Sequence, residues 1–112
     1  MPLAVLDDDG EVVGRINVTG IVRGAFRSAN LGYWIAESAN GRGLATSAVA
    51  AAKRLSFEEL GLHRLQAATL LHNAASQKVL SRNGFERIGM APEYLHIAGR
   101  WQDHLLFQAL AP

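Results

Sequence analysis

Residues 40–46 read Asn-Gly-Arg-Gly-Leu-Ala-Thr and lie between two segments of different periodicity. Residues 31–36, before this loop, are rich in aromatic and β-branched side chains and predict a strand. After the loop, apolar side chains recur at helical spacing in an alanine-rich segment, which predicts a helix over residues 44–60 that ends at Gly61. The predicted core stripe of this helix is Leu44, Ala48, Ala52 and Leu55, widened by Ala45 and Val49.

A strand–loop–helix junction of this kind is suited to binding an anion. The first turn of a helix leaves about four backbone N–H groups unpaired and carries roughly half a positive charge. Gly41 and Gly43 allow the backbone to approach a phosphate closely, and Arg42 adds a cation, although a simple turn explains the same glycines equally well. A P-loop is excluded because its Gly-Lys-Ser/Thr ending is absent, and Thr46 fits a dinucleotide fingerprint poorly.

The rest of the chain predicts one domain in which strands and helices are mixed. Residues 7–10 are a turn signal between two apolar runs, and Gly14 is a candidate bulge. Asn73 is the predicted N-cap of a second, shorter helix that closes at residues 83–84. The predicted strands cover residues 3–6, 12–21, 31–36, 62–71, 85–97 with an interruption at 91–93, and 101–110. The order β-β-β-α-β-α-β-β indicates a mixed α/β (α+β) domain with a mostly antiparallel sheet.

Composition excludes several classes of site and partner. The 112 residues are 49% hydrophobic and 19% charged, which is typical of one folded domain. A net charge of +1 argues against a general nucleic-acid binder. The absence of cysteine excludes disulfides, thiolate metal sites and a cysteine nucleophile. No apolar run approaches the ~20 residues of a membrane span, so we expect no membrane partner and a cytoplasmic location.

Three segments, in order along the chain, resemble the GNAT superfamily of N-acetyltransferases. The first is Gly32-Tyr33-Trp34-Ile35 followed by Gly43-Leu44-Ala45-Thr46, which is similar to the acetyl-CoA motif of that family. The second is residues 73–85, which begin with Asn-Ala-Ala-Ser and end with Asn-Gly-Phe, and the third is residues 99–104. The resemblance covers residues 31–110. It is strongest to the Rim-type branch, which includes ribosomal-protein N-terminal acetyltransferases.

The resemblance implies a GNAT-like sheet in which the strand containing Trp34 and Ile35 splays from residues 65–69. The pantetheine arm of acetyl-CoA would pair with backbone exposed between them, like an added strand. The pyrophosphate would bind the amides of residues 41–46. Asn73 would bind the pantetheine, and Ser76 would lie near the thiol. The implied cofactor-binding residues are Trp34, Ile35, Asn40, Gly41, Arg42, Gly43, Leu44, Ala45, Thr46, Asn73, Ser76 and Arg82.

The implied activity is direct transfer of an acetyl group from acetyl-CoA to a primary amine, on a protein N-terminus or a small molecule. Ser76 is the candidate donor to the leaving thiolate. His72 and Glu37, at strand ends near the expected cleft, are candidates for the base, and water is the alternative.

Members of the family usually begin with a strand and two helices that form much of the acceptor pocket, whereas here residues 1–6 alone precede the first hairpin. We therefore expect residues 1–112 to be one GNAT domain lacking those elements, with exposed sheet edges that favour a homodimer. Two alternatives stay open at this point. One is a truncated, inactive acyl-CoA-binding or assembly module, and the other is a nucleotide-binding domain.

The remaining histidines and aromatic residues predict structure rather than a second site. His96 and His104 are placed to face one another across the terminal hairpin, but no histidine spacing resembles a metal cluster, so no metal is expected. The aromatic residues predicted to lie in the core are Tyr33, Trp34, Phe57, Phe85 and Trp101.

Overall fold

The computed structural model describes residues 1–36 and 43–112. They form six strands and two helices in the predicted order, which confirms the fold class. The elements are β1 (Pro2–Leu6), β2 (Val12–Val22), β3 (Ser28–Ile35), α1 (Leu44–Glu58), β4 (Arg64–Leu70), α2 (Ala74–Arg82), β5 (Glu86–Ile97) and β6 (Arg100–Leu110).

The strands form one sheet in the order β1-β2-β3-β4-β6-β5. Every neighbouring pair is antiparallel except β3 and β4, which are parallel because α1 connects them as a crossover. The pairing of β3 with β4 covers Ser28–Leu31 against Arg64–Ala67 and then stops, although both strands continue beyond it. The sheet therefore opens into a gap between Gly32–Ile35 and Ala68–Leu70, as the resemblance implies.

Both helices pack on the same face of the sheet. Buried Val49 and Ala52 of α1 and Leu80 of α2 share one core cluster with Leu65 and Ala67 of β4. Because side chains alternate along a strand, the intervening residues of β4 project to the opposite side of the sheet, which we call the open face. The predicted stripe of α1 is confirmed at Ala52 and Val49, whereas Leu44, Ala48 and Leu55 are half-buried.

Several predicted boundaries differ from the structure for local reasons. The predicted first helix is two residues too long, because α1 ends at Glu58 before Gly61 takes a φ of 66°. β3 begins at Ser28, three residues before the predicted start at residue 31, because Ser28 pairs with both Val22 and Arg64. The interruption predicted at residues 91–93 is a bulge within a continuous β5.

Gly14 pairs with Val5 on β1 and with Ile35 on β3. The register of β1 and β2 shifts next to this pair, because Leu6 is opposite Val12 and Val13 is left without a partner on β1. The strand passes close to β3 here, since a Cβ at position 14 would overlap the carbonyl oxygen of Trp34. The glycine is therefore explained by close approach of two backbones and not by a bulge at its own position.

Candidate active site

A cleft of about 480 Å³ lies where β3 leaves β4, between the end of β3 and the first turns of both helices. Its lining residues are Tyr33, Trp34, Ile35, Gly43, Leu44, Ala45, Thr46, Asn73, Ala75, Ser76, Val79 and Arg82. The structure therefore brings together all the implied cofactor-binding residues that it describes. Asn40, Gly41 and Arg42, together with the candidate base Glu37, lie outside the described residues.

The start of α1 presents backbone donors to this cleft. Gly43 has a φ of 73° and precedes the helix without a side-chain cap, and the N–H of Ser47 donates to the carbonyl of Gly43 at 3.0 Å. The amides of Leu44, Ala45 and Thr46 have no carbonyl four residues earlier within the helix, as at the start of any α-helix, so they are suited to bind a ligand. An anion at this position also interacts favourably with the helix dipole.

The start of α2 is held by the predicted cap. The side chain of Asn73 accepts a hydrogen bond from the N–H of Ser76 at 3.1 Å, which confirms Asn73 as the N-cap. The two helices are joined beside the cleft by Asn83, whose side-chain nitrogen donates to the carbonyl of Thr46 at 3.1 Å and whose carbonyl accepts from Lys53 at 2.6 Å. These bonds set the spacing between Thr46 and Ser76, the two sides of the cleft.

Tyr33 lines the cleft, although it is not among the implied cofactor-binding residues, and it also packs against the core as predicted. It lies on the helix face of β3, opposite buried Ile16, and its hydroxyl is 2.5 Å from Oγ of Ser76 on α2. The bond joins β3 to α2 across the part of the sheet from which β4 has departed. Burial raises the pKa of Tyr33, and the hydrogen bond to Ser76 acts in the opposite direction, so the hydroxyl keeps its proton at neutral pH.

Other residues are placed differently from expectation. His72 is exposed in the turn before α2 and does not line the cleft, although it is adjacent to Asn73. The prediction that Trp34 and Trp101 are core residues is wrong, since each is 60% exposed, whereas Phe85 is buried as predicted. Trp34 projects to the open face because Tyr33 beside it faces the helices.

The histidines of the terminal hairpin do not face one another. The register of β5 and β6 pairs His96 with Trp101 and His104 with Ala91, so the expectation that they are opposed is wrong. Within residues 1–36 and 43–112 no three acidic or histidine side chains are grouped as metal ligands. Of the two helices in the same ranges, neither has the length and hydropathy to span a bilayer.

Comparison with known proteins agrees with this geometry. Residues 1–86 match the family model described as Acetyltransferase (GNAT) domain. The chain is 39% identical over 105 residues to the ribosomal protein uS5-alanine N-acetyltransferase of Escherichia coli (strain K12), covering 94% of this chain and 54% of that protein.

Solved structures show the same likeness. Mycobacterium smegmatis RimJ in complex with CoA-disulfide has a TM-score of 0.89 and 41% identity, over 92% of this chain and 49% of that one. A variant of the spermidine N-acetyltransferase SpeG from Vibrio cholerae has a TM-score of 0.85 and 27% identity, over 97% of this chain and 64% of that one. The chain thus spans about half the length of the relatives at 39–41% identity. On the match over residues 1–86, together with the splayed sheet and its cleft, the chain belongs to the GNAT acetyltransferase domain family.

Proposed function

We propose that this chain binds acetyl-CoA in the cleft and transfers the acetyl group directly to a primary amine. The observation that carries the proposal is the union of two features in one cavity: the unpaired backbone of the gap and the uncapped start of α1. The first suits an extended arm with amide groups, and the second suits a pyrophosphate. Coenzyme A contains both in one molecule.

The residues that line the cleft fit this ligand chemically. Amides of Leu44, Ala45 and Thr46 would receive the pyrophosphate, with the guanidinium of Arg82 at the same cavity. The side-chain nitrogen of Asn73 would bind the pantetheine, because its oxygen is already used by the N–H of Ser76. The apolar wall from Ile35 and Val79 would pack against the methylene groups of the arm.

The proposed reaction needs no covalent enzyme intermediate. The lone pair of a neutral amine forms a bond to the thioester carbonyl carbon, the carbon–sulfur bond breaks, and coenzyme A leaves as a thiolate that takes up a proton. The proton lost by the amine passes to water, since His72 does not line the cleft. Holding the two substrates together supplies a large part of the rate. Strand amides near Ile35 would stabilise the negative charge that develops on the carbonyl oxygen.

Ser76 is the proposed donor to the departing sulfur. If the neutral hydroxyl of Tyr33 donates to Oγ of Ser76, the proton of Ser76 is left to donate to the thiolate. We expect Ser76→Ala to lower kcat about 10- to 100-fold, since hydrogen bonds to charged groups are worth about 1.5–3 kcal/mol. The affinity for coenzyme A should change much less.

The matched control is Ser81→Ala, on the exposed side of the same helix and away from the cleft. Single-turnover kinetics with acetyl-CoA separate the chemical step from binding. Full turnover in Ser76→Ala would remove this side chain from the mechanism. The Tyr33→Phe change should lower kcat in the same direction and should not add fully to Ser76→Ala, because both hydroxyls act through one bond.

The acceptor and the assembly are also proposals. The relative from Escherichia coli is named for a ribosomal protein, which favours a protein N-terminus as acceptor and a cytoplasmic location for this chain. The sheet ends in β1 on one side and β5 on the other, and edge strands of this kind favour pairing. We expect a homodimer by light scattering at micromolar concentration, and a sharply monomeric species would contradict this.

The second candidate function is an acyl-CoA-binding or assembly module without activity. Calorimetric titration with acetyl-CoA followed by an assay of released thiol with a mixture of peptides and amines distinguishes the two. Binding with turnover supports the enzyme, and binding without turnover supports the module.

A further inference from the structure

The open face of the sheet carries a chain of hydrogen bonds that the acetyl-CoA cleft does not use. Arg64 of β4 donates to Oε1 of Gln66 at 2.7 Å, to Oε1 of Gln108 at 2.8 Å and to Oγ of Ser28 at 3.1 Å. Gln66 in turn has its Nε2 atom 3.3 Å from the hydroxyl of Tyr94 on β5. This series of hydrogen bonds thus connects the guanidinium of Arg64 to the phenol of Tyr94 through Gln66.

Arg64 fixes which group donates in each hydrogen bond of the series Arg64–Gln66–Tyr94. A guanidinium has donors only, so it is the oxygen of Gln66 that faces Arg64. The amide nitrogen of Gln66 therefore points to Tyr94 and can only donate to it. Since the oxygen of Tyr94 accepts this bond, its own proton remains for another acceptor. Tyr94 is half-buried, so that acceptor can come from outside the protein.

A distortion of β5 places Tyr94 in this position. Between the pairs Ala91–His104 and Leu95–Gln102, three residues of β5 lie opposite Asp103 alone. Glu93 within this bulge has a φ of 48°, and its N–H is bound by the carboxylate of Asp103 at 2.9 Å. The ring of Tyr94 then packs 5.5 Å from that of buried His104. Bulges of this kind re-aim side chains and are frequent next to active sites.

Tyr94 lies beside the point at which the gap opens. Gln66, its partner, immediately precedes Ala67, the last residue of β4 paired with β3. The first open-face residues beside the gap are Gly32 and Ala68, which are small, and the next along β3 is Trp34, which is 60% exposed. On the opposite face of the sheet, the two helices and the Tyr33–Ser76 hydrogen bond lie next to the gap. An acceptor amine that approached the cleft from the open face would therefore pass Tyr94.

We propose that the hydroxyl of Tyr94 donates a hydrogen bond to the carbonyl oxygen next to the acceptor amine, and so selects peptide N-termini over polyamines. This inference rests on the proposed acetyl transfer. In a peptide the first carbonyl carbon is two bonds from the nucleophilic nitrogen, whereas a polyamine has no carbonyl. The positive charge of Arg64, whose three partners are neutral oxygens, adds to the selection against a polycation.

The test compares two acceptors and two variants of the full chain. One acceptor is a peptide that begins with alanine, and the other is the same peptide with its first carbonyl reduced to a methylene. We expect Tyr94→Phe, which keeps the ring against His104, to lower kcat/KM for the peptide about 3- to 10-fold, the usual worth of one neutral hydrogen bond. With the reduced peptide the variant and the wild type should be equal.

The second variant, Gln66→Glu, tests the direction of donation in the hydrogen bond between residue 66 and Tyr94. A carboxylate accepts from both Arg64 and Tyr94, so it would take the proton that we assign to the substrate. It should lower kcat/KM for the peptide as much as Tyr94→Phe, and the double variant should show no further loss. Thermal unfolding of each variant, expected near that of the wild type, excludes a loss of fold as the cause.

The outcomes separate this inference from the proposed function. Equal loss on both peptides, or no loss on either, overturns the role of Tyr94 while acetyl transfer stands. If the chain binds acetyl-CoA without turnover, calorimetric binding of the two peptides in the presence of coenzyme A gives the same comparison, and equal affinities overturn the inference. If acetyl-CoA does not bind to the folded wild type, both proposals fail together.

Discussion

Replacement of Gly43 by tryptophan should lower the affinity of the chain for acetyl-CoA at least about 100-fold, equivalent to about 2.7 kcal/mol of binding free energy. Gly43 lies in the cleft immediately before α1, and within residues 1–36 and 43–112 no atom beyond its chain neighbours lies within 4 Å of the position of its missing Cβ. A tryptophan here would project from the loop where the pyrophosphate is expected. The expected loss comes from occupation of this space and from a shift of the Leu44 to Thr46 amides.

A matched control separates this effect from backbone strain. Gly61, beyond the other end of the same helix, has a φ of 66° against 73° for Gly43, and it too has open space around the missing Cβ. Gly61→Trp should therefore cost the same strain in a left-handed conformation and leave acetyl-CoA binding unchanged. Calorimetric titration measures both. If the two variants bind equally well, the start of α1 is not where the cofactor binds.

The second large effect is expected at Gly14, where β2 and β3 come close. An alanine Cβ would overlap the carbonyl oxygen of Trp34 and lie 2.7 Å from Cδ1 and 3.1 Å from Cα of Ile35. Because two of these atoms are backbone, side-chain movement cannot relieve the overlap. We expect Gly14→Ala to lower the free energy of unfolding by about 2–3 kcal/mol, the usual cost of overpacking a tight site.

Urea denaturation followed by circular dichroism gives this difference directly. The control is Gly89→Ala, in β5, where nothing lies within 4 Å of the built Cβ and the φ is not positive. That change should shift stability by about 1 kcal/mol or less. Acetyl-CoA affinity should fall in Gly14→Ala alone, since Trp34 and Ile35 line the cleft. Equal stability of the two variants would contradict the steric argument.

The order of elements could be predicted because local signals and tertiary structure agree. Asn73 caps α2, and Gly61 follows α1, as their chemistry predicts. The strand 62–71 was predicted from its buried run and differs from β4 by two residues at its start and one at its end. Bulges are less visible in a sequence. The signal at residues 91–93 was interpreted as a break, because a proline in a strand usually ends it, whereas on the edge strand β5 it is tolerated.

The sequence predicts the site residues that belong to a recognisable motif. It does not predict those that only strand pairing brings to the site. Gly43, Asn73 and Ser76 belong to recognisable segments, and the structure places them in one cleft. Tyr33 was interpreted as a core residue because its contact with Ser76 spans 43 residues and depends on the departure of β4 from β3. Tyr94 gave no signal of its own, since its partner Gln66 is on another strand and the bulge that aims it is irregular.

The gap between β3 and β4 gives this sheet four strand edges where an ordinary open sheet has two. In the proposed complex, the pantetheine arm of acetyl-CoA would pair with both inner edges, so that binding and folding would be thermodynamically linked. A chain of this design gains stability in proportion to the logarithm of ligand concentration once the ligand exceeds its dissociation constant. The supply of acetyl-CoA would therefore set how much of the protein escapes unfolding and proteolysis, as well as how fast it turns over.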